Sequence, residues 1–302
     1  MIRLNMRIAI TGGSGFLGKH VTQYFLENSS HRLIFLKRLN TDISWITSEF
    51  APRCEFYNID VDHEFKAYLS EGNVEVILHM ATNYGREEYS VGEVLAANLR
   101  LPLMLLENAV KRNIPHFINI DSYFNKPGNS YSHLMNYSNS KKSLTLWFPH
   151  FGGEMKVTNV VLEHVYGPFD RKDKFVPTFI ESARCNFGDG VKFSEGGQVR
   201  DFIYVEDVAS ALLAVVEGKT LGPDFEEINL GTSVGTTLRD FGETVCRALR
   251  LSVKPPFGAG KYRKGEIMAS VADSSSMSKY DWGPKYSLEQ GIGKLLEIEN
   301  KF

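Results

Sequence analysis

Apolar positions in the first half of the chain follow two alternating rhythms. Short runs of β-branched and aliphatic residues are separated by longer stretches in which apolar side chains return every three or four positions. The pattern predicts strands at Arg7–Thr11, Arg32–Lys37, Cys54–Ile59, Val74–Ala81, Pro115–Asp121 and Val157–Leu162. It predicts helices at Phe16–Glu27, Val91–Arg112 and Ser132–Phe148, the second with Leu95, Leu99, Leu103 and Leu106 on one face. The Val74–Ala81 run is nearly all apolar, as a strand covered on both faces should be. Strands alternating with helices in this way imply a parallel sheet with helices on both sides.

After Glu163 the texture changes. Glycine and proline become frequent, at Gly167, Pro168, Pro177, Gly188, Gly190, Gly196 and Gly197. A helix at Val205–Glu217 and a strand at Glu226–Leu230 then resume the earlier pattern, and a helix at Leu288–Glu299 closes the chain. The expected organisation is a discontinuous pair, with one domain at 1–163 plus about 200–231 and a smaller lobe at about 164–199 plus 232–302.

The turn Thr11-Gly12-Gly13-Ser14-Gly15-Phe16-Leu17-Gly18 joins the first strand to the first helix. Gly12, Gly15 and Gly18 recur at a spacing of three, which suits a tight turn, a close backbone approach to a pyrophosphate and close helix–sheet packing. The free N–H groups of the helix start, around Phe16 and Leu17, complement phosphate charge. This strand–turn–helix context makes the larger domain a dinucleotide binder. The fold class is therefore α/β, a Rossmann-type doubly wound parallel sheet with a smaller C-terminal substrate-binding lobe. Where NAD binders usually place Asp or Glu, at the end of the second strand, this chain has Lys37 and Arg38. A basic pair attracts a 2′-phosphate, so the expected cofactor is NADP(H) rather than NAD(H). Asp60, followed by Val61, is placed to meet the adenine. Met80, Ala81 and Thr82 end the fourth strand where the cofactor should cross the sheet.

Composition removes several alternatives. The chain has 302 residues, 43% of them hydrophobic, and a formal net charge of −2, so no global positive field points to nucleic acid or anionic membrane. No run approaches the roughly 20 apolar residues of a membrane span, and Met1 leads into an apolar strand rather than a signal peptide. Cys54, Cys185 and Cys246 lie far apart, with neither a disulfide framework nor metal-ligand spacing. The expectation is a cytoplasmic protein with no metal.

Tyr137 and Lys141 are four residues apart on a predicted helix, so they share a face. Ser122 follows the fifth strand at its carboxyl end, where doubly wound sheets hold ligands. A neighbouring ammonium is expected to lower the pKa of a phenol, and a serine hydroxyl can orient the same substrate oxygen. Such a set interconverts carbonyl and alcohol while a nicotinamide exchanges hydride.

These segments resemble the extended short-chain dehydrogenase/reductase family of nucleotide-sugar epimerases, dehydratases and reductases. TGGSGFLG (11–18), HMAT (79–82), Asn98, Ser122, YSNSK (137–141), VYGP (165–168), RDFIYVEDV (200–208) and DWGPKYSLEQGI (281–292) fall in family order. The resemblance implies that Asn98 is the family's buried helix asparagine beside the cofactor, and that Arg200 and Arg263 grip a substrate diphosphate. It also implies substrate contacts at Tyr84, Tyr123, His164, Lys174 and Val176, with His164 standing where relatives often have Asn. The dehydratases carry an Asp-Glu pair after the catalytic hydroxyl residue; here those positions are Tyr123 and Phe124. No cysteine lies near Ser122, as the 3,5-epimerase/reductases require. HMATNYG (79–85), FINIDSYF (117–124), LEHVYGP (162–168) and KFVP (174–177) look most like the 4-ketoreductases of deoxyhexose synthesis. That likeness implies NADPH-dependent reduction of a CDP-4-keto-3,6-dideoxyhexose for a bacterial O-antigen. It further implies a homodimer joined through the Val91–Arg112 and Ser132–Phe148 helices. A reductase of a dTDP- or GDP-linked 4-keto-6-deoxysugar, a 4-epimerase keeping bound NAD, and a non-catalytic NADP sensor remain open.

Overall fold

The computed structural model describes residues 5–59, 73–86, 89–126, 128, 134–188, 190–218 and 224–301. Seven strands form one sheet: β1 (Arg7–Thr11), β2 (Arg32–Lys37), β3 (Cys54–Asn58), β4 (Val76–His79), β5 (His116–Ser122), β6 (Lys156–Leu162) and β9 (Asp224–Leu230). Their spatial order is β3-β2-β1-β4-β5-β6-β9, and the pairs from β3 across to β5 run parallel. The order reverses between β1 and β4, and ligands in open α/β sheets bind at the carboxyl ends of strands flanking such a switch. Thr11 pairs with His79 at that point in the sheet register.

The chain divides into two compact units, residues 1–126, 134–161 and 212–228 in one and 127–133, 162–211 and 229–302 in the other. In the first unit Ala9, Ile34, Ile77 and Phe117 from the sheet pack with Leu105, Leu106, Ala109, Leu144 and Phe148 from its helices. Each fully buried Leu, Ile or Phe of this set contributes about 1.5–3 kcal/mol.

Two helices depart from the sequence expectation. The stretch predicted as Val91–Arg112 is helical at Val91–Leu95, widens into a π turn at Ala96–Arg100 and continues as Leu101–Lys111. Pro102, which has no N–H for the carbonyl four residues back, accounts for the loosened turn. The extra residue shifts the buried face to Val94, Asn98, Pro102, Leu105 and Ala109, leaving Leu95 exposed. The helix predicted to reach Phe148 ends at Thr145, and a separate one begins at Phe148. Pro149 fits the first turn of the new helix, whereas one continuous helix would force its ring onto the Thr145 carbonyl.

In the second unit β8 (Val199–Tyr204) lies between β10 (Gly235–Thr237) and β11 (Ala269–Ser270), and β7 (His164–Tyr166) also pairs with it. Helices Phe175–Arg184 and Leu238–Ala248, which the sequence reading omitted, pack together through Phe179 and Phe241. Asp201 is fully buried; its carboxylate accepts from the N–H groups of Thr232, Ser233 and Ala272 and from the Thr232 hydroxyl. Asp207 accepts from the N–H groups of Lys285 and Tyr286. Among the described residues no helix is long and apolar enough to cross a membrane, and no group of three or more His, Cys, Asp or Glu could hold a metal ion.

Candidate active site

The glycine turn is shaped by contacts that only glycine tolerates. Gly12 has φ +72°, and a Cβ there would lie 2.5 Å from the Ala81 nitrogen across the switch point. A Cβ on Gly18 would lie 2.1 Å from the Gly12 carbonyl oxygen, so this residue seats the helix against the turn. Gly15 differs, since its Cβ would meet only the Gly12 oxygen at 3.4 Å. Gly15 stands just before helix Phe16–Asn28, which has no side-chain cap and no acidic residue in its first turn. Phe16 and Leu17, both half-buried, open the helix. The open side of Gly15 and the N–H groups of this helix start fit a pyrophosphate.

Met80 and Ala81 continue from β4 beside this turn. The Thr11 hydroxyl pairs with His79 Nδ1 at 2.7 Å and accepts from the Ala81 N–H at 3.3 Å, bracing the two strand ends together. Burial, with the Lys141 cation nearby, pushes His79 down to about 3, so this ring is neutral. Thr11 was not singled out from sequence; its signal was its place at the strand end. Asn98 sits in the π turn, fully buried. Its oxygen accepts from the Thr82 hydroxyl and the Asn83 N–H, and its NH2 donates to the Asn83 carbonyl and the Ser140 hydroxyl. All four bonding positions are taken by the protein, so Asn98 braces the 82–83 segment against helix Met135–Thr145.

At the end of β2 the two basic residues separate in role. The Lys37 ammonium donates to the carbonyls of Arg38 and Leu39 and to Asn58 Oδ1, tying down the strand end. Arg38 is exposed. Asp60 and Val61 lie outside the described residues.

Ser122, Tyr137 and Lys141 are all buried. The Tyr137 hydroxyl hydrogen-bonds the Ser122 side chain, while the Lys141 ammonium donates to the Ile120 carbonyl at 2.7 Å. Their electrostatics depart from the expectation that Lys141 lowers the phenol. Burial pushes Tyr137 well up from its ordinary value, with Tyr84 and Asp121 acting in the same direction against the Ser122 hydrogen bond. Desolvation is the reason: at 4% exposure a phenolate would lose most of its hydration. Burial also lowers Lys141, opposed by Asp121. Tyr84 stacks on the Tyr137 ring at 5.0 Å, and Phe124 meets it edge-on at 6.2 Å. Tyr123 stacks on Phe124 at 4.3 Å. The Tyr137 hydroxyl thus lies in an aromatic wall, with no carboxylate at positions 123 and 124.

The remaining candidates belong to the second unit. Arg200, buried on β8, donates to Glu266 at 2.8 Å and to the Val199 carbonyl. Glu266 ends the turn that exposed Arg263 begins, so one loop carries both the partner of Arg200 and the second arginine. Glu266 was not singled out from sequence, although it lies within RKGE. His164 packs on Phe202 and Phe175 and is pushed down to about 3, by burial first and then by the Arg200 and Lys174 cations. Lys174 pairs with Asp170 at 2.9 Å. Val176 is buried in the first turn of helix Phe175–Arg184.

A family profile described as "NAD dependent epimerase/dehydratase family" matches residues 8–231. The chain belongs to the NAD dependent epimerase/dehydratase family. The CDP-abequose synthase of Salmonella typhimurium is 30% identical, covering 98% of this chain and 99% of that one. The dTDP-glucose 4,6-dehydratase of Neisseria meningitidis serogroup B is 25% identical over 98% and 94%. Among solved structures, the Thermotoga maritima UDP-glucose 4-epimerase, crystallised with UDP-glucose, superposes with a TM-score of 0.81 at 25% identity over 98% and 99% of the two chains. A dTDP-glucose 4,6-dehydratase from Bacillus anthracis, solved with NAD, has a TM-score of 0.77 at 20% identity over 98% and 97% of the two chains, a likeness of fold. In this family the chain is one of the enzymes that modify nucleotide-linked sugars.

Proposed function

We propose that this protein reduces the C4 ketone of a nucleotide-linked deoxysugar with NADPH, the substrate being a CDP-4-keto-3,6-dideoxyhexose. The observation that carries the reading is the buried Tyr137 hydroxyl, hydrogen-bonded to Ser122 beneath a wall of Tyr84 and Phe124 backed by Tyr123, where burial raises the phenol from its ordinary value. A neutral phenol donates a proton to a ketone oxygen as that oxygen gains negative charge. The 123–124 positions offer no acid/base pair for elimination of water. The full-length likeness to CDP-abequose synthase supports the choice of nucleotide and sugar.

The glycine turn would hold the cofactor's pyrophosphate, Met80, Ala81 and Thr82 would line its path, and the bound nicotinamide would supply hydride. Ser122 orients the ketone oxygen and Tyr137 protonates it. Lys141, as an ammonium, supports the developing negative charge. Arg200 and Arg263 are assigned the substrate diphosphate, for which the guanidinium fork is suited. His164, Lys174 and Val176 are assigned to the rest of the substrate.

The proposed preference for NADPH rests on Arg38, the exposed member of the basic pair. Arg38→Ser should weaken NADPH binding by about tenfold, roughly the loss of one charge-assisted hydrogen bond, and leave NADH unchanged. Nicotinamide fluorescence titration of both cofactors checks this; equal effects on the two would count against the preference.

The protein is also proposed to act as a cytoplasmic homodimer in O-antigen sugar synthesis. The helices predicted at the dimer interface, together with the segment that follows them, expose Val91, Met135, Leu146 and Trp147, with Leu146 80% exposed. Sedimentation should give a mass of two chains, and Leu146→Glu should shift it towards one.

The deciding experiment follows NADPH oxidation with CDP-4-keto-3,6-dideoxyglucose, alongside NADH and a dTDP-4-keto-6-deoxyglucose control. Oxidation with the CDP sugar alone supports the proposal. Inversion at C4 of a nucleotide sugar bearing a C4 hydroxyl, without added reductant and by protein that purifies with NAD, would establish a 4-epimerase instead.

A further inference from the structure

A buried carboxylate lies directly beside the catalytic serine. Asp121 precedes Ser122 on β5 and is 4% exposed. Its Oδ1 accepts from the Ser122 N–H at 2.8 Å and from Asn125 Nδ2 at 2.6 Å; its Oδ2 accepts from Asn159 Nδ2 at 3.2 Å. Every neighbour offers a donor, so an acceptor-only carboxylate satisfies the place; burial raises this carboxyl from its ordinary value, and the Lys141 cation and the donors of Asn159, Ser122 and Asn125 oppose that rise. Asn159 cannot turn to offer an acceptor, since its Oδ1 takes the Asn119 NH2 at 2.7 Å and its NH2 also donates to Glu227. On the other side, Lys141 donates to the carbonyl of Ile120, the residue before Asp121.

We propose that Asp121 is a positioning residue of the active site. Its carboxylate fixes the Ser122 backbone and the Tyr123–Asn125 turn, and it supplies the buried counter-charge that keeps Lys141 an ammonium.

A lone ammonium at 2% exposure would lose much of its hydration, which favours the neutral amine. The other titratable groups around the pair do not replace Asp121. His79 on β4 is neutral, and Tyr84, Tyr123 and Tyr137 carry phenols. Glu227 on β9 is exposed and reaches Asp121 only through Asn159. The Asp121 charge favours the ammonium of Lys141 and opposes ionisation of Tyr137. Both effects hold the site in the form that gives a proton away. The catalytic consequence rests on the proposed roles of Ser122, Tyr137 and Lys141; the effect on Lys141 does not.

The test uses nitrogen-15 spectra of the lysine ammonium groups in the intact protein across pH, with the Lys141 signal assigned by its loss in Lys141→Met. Asp121→Asn should lower the pH at which Lys141 deprotonates by about one unit or more, the range for an opposite charge at close quarters. With the CDP-4-keto sugar and NADPH, the alkaline limb of kcat should move down with it. Asp121→Ser, smaller and also neutral, should show the same shift and serves if the Asn variant does not fold. Lys141 titration identical to the parent protein in a folded variant overturns the proposal. A shifted Lys141 in a protein that reduces no keto sugar leaves this inference standing and removes the ketoreductase reading.

Discussion

Tyr137→Phe should cut turnover of the keto sugar by about a hundredfold to ten-thousandfold, the usual contribution of a positioned general acid. The ring is 4% exposed, stacked on Tyr84 and edge-on to Phe124, and Phe keeps those contacts. Only the hydroxyl and its bond to Ser122 are removed. Thermal stability and NADPH affinity should therefore stay close to the parent values while kcat falls. Steady-state kinetics with a fluorescence titration of NADPH separates these quantities, and near-full activity in the variant would refute the role. Because burial holds the phenol protonated, the parent enzyme should keep its proton donor well into the alkaline range.

Gly12→Ala should damage both the fold and cofactor binding. The added methyl would sit 2.5 Å from the Ala81 nitrogen and 2.7 Å from the Met80 carbonyl carbon, and the +72° φ disfavours any side chain. Neither contact is the end of a flexible side chain, so β1 and β4 must part at the switch point. The expected cost is about 1–3 kcal/mol of stability, with at least a tenfold loss of NADPH affinity. Denaturant unfolding and cofactor titration check the two effects. Gly15→Ala, whose methyl meets only the Gly12 oxygen at 3.4 Å, should be much milder for stability and should act chiefly on the cofactor.

The larger domain was legible in the sequence because its signals are local. β1 and β2 match the predicted bounds, and the glycine turn carried its own stereochemical reason. The second unit was harder to read because its helices contain residues that usually argue against helix. Pro177 lies in the first turn of Phe175–Arg184, where an N–H has no helical partner to lose. Gly242 lies within Leu238–Ala248 because a Cβ there would come 2.6 Å from the Phe179 ring. Helix-end geometry admits the proline and tertiary packing chose the glycine, and periodicity shows neither. The i, i+4 spacing correctly put Tyr137 and Lys141 on one face. It could not show that burial would govern the phenol, or that Lys141 would turn to the Ile120 carbonyl.

The two aspartates of RDFIYVEDV bear on how the chain comes to be folded during synthesis. Asp201 waits for residues 232, 233 and 272, and Asp207 for residues 285 and 286. Their donors lie 31 to 79 positions downstream, so each bond waits until the segment that carries its donor has been made. Until residues 285 and 286 emerge, the buried Asp207 carboxylate lacks the two N–H donors it accepts from in the folded lobe. A nascent chain halted before residue 285 therefore leaves Asp207 without these two partners, and the second unit can set fully only after that segment has been made.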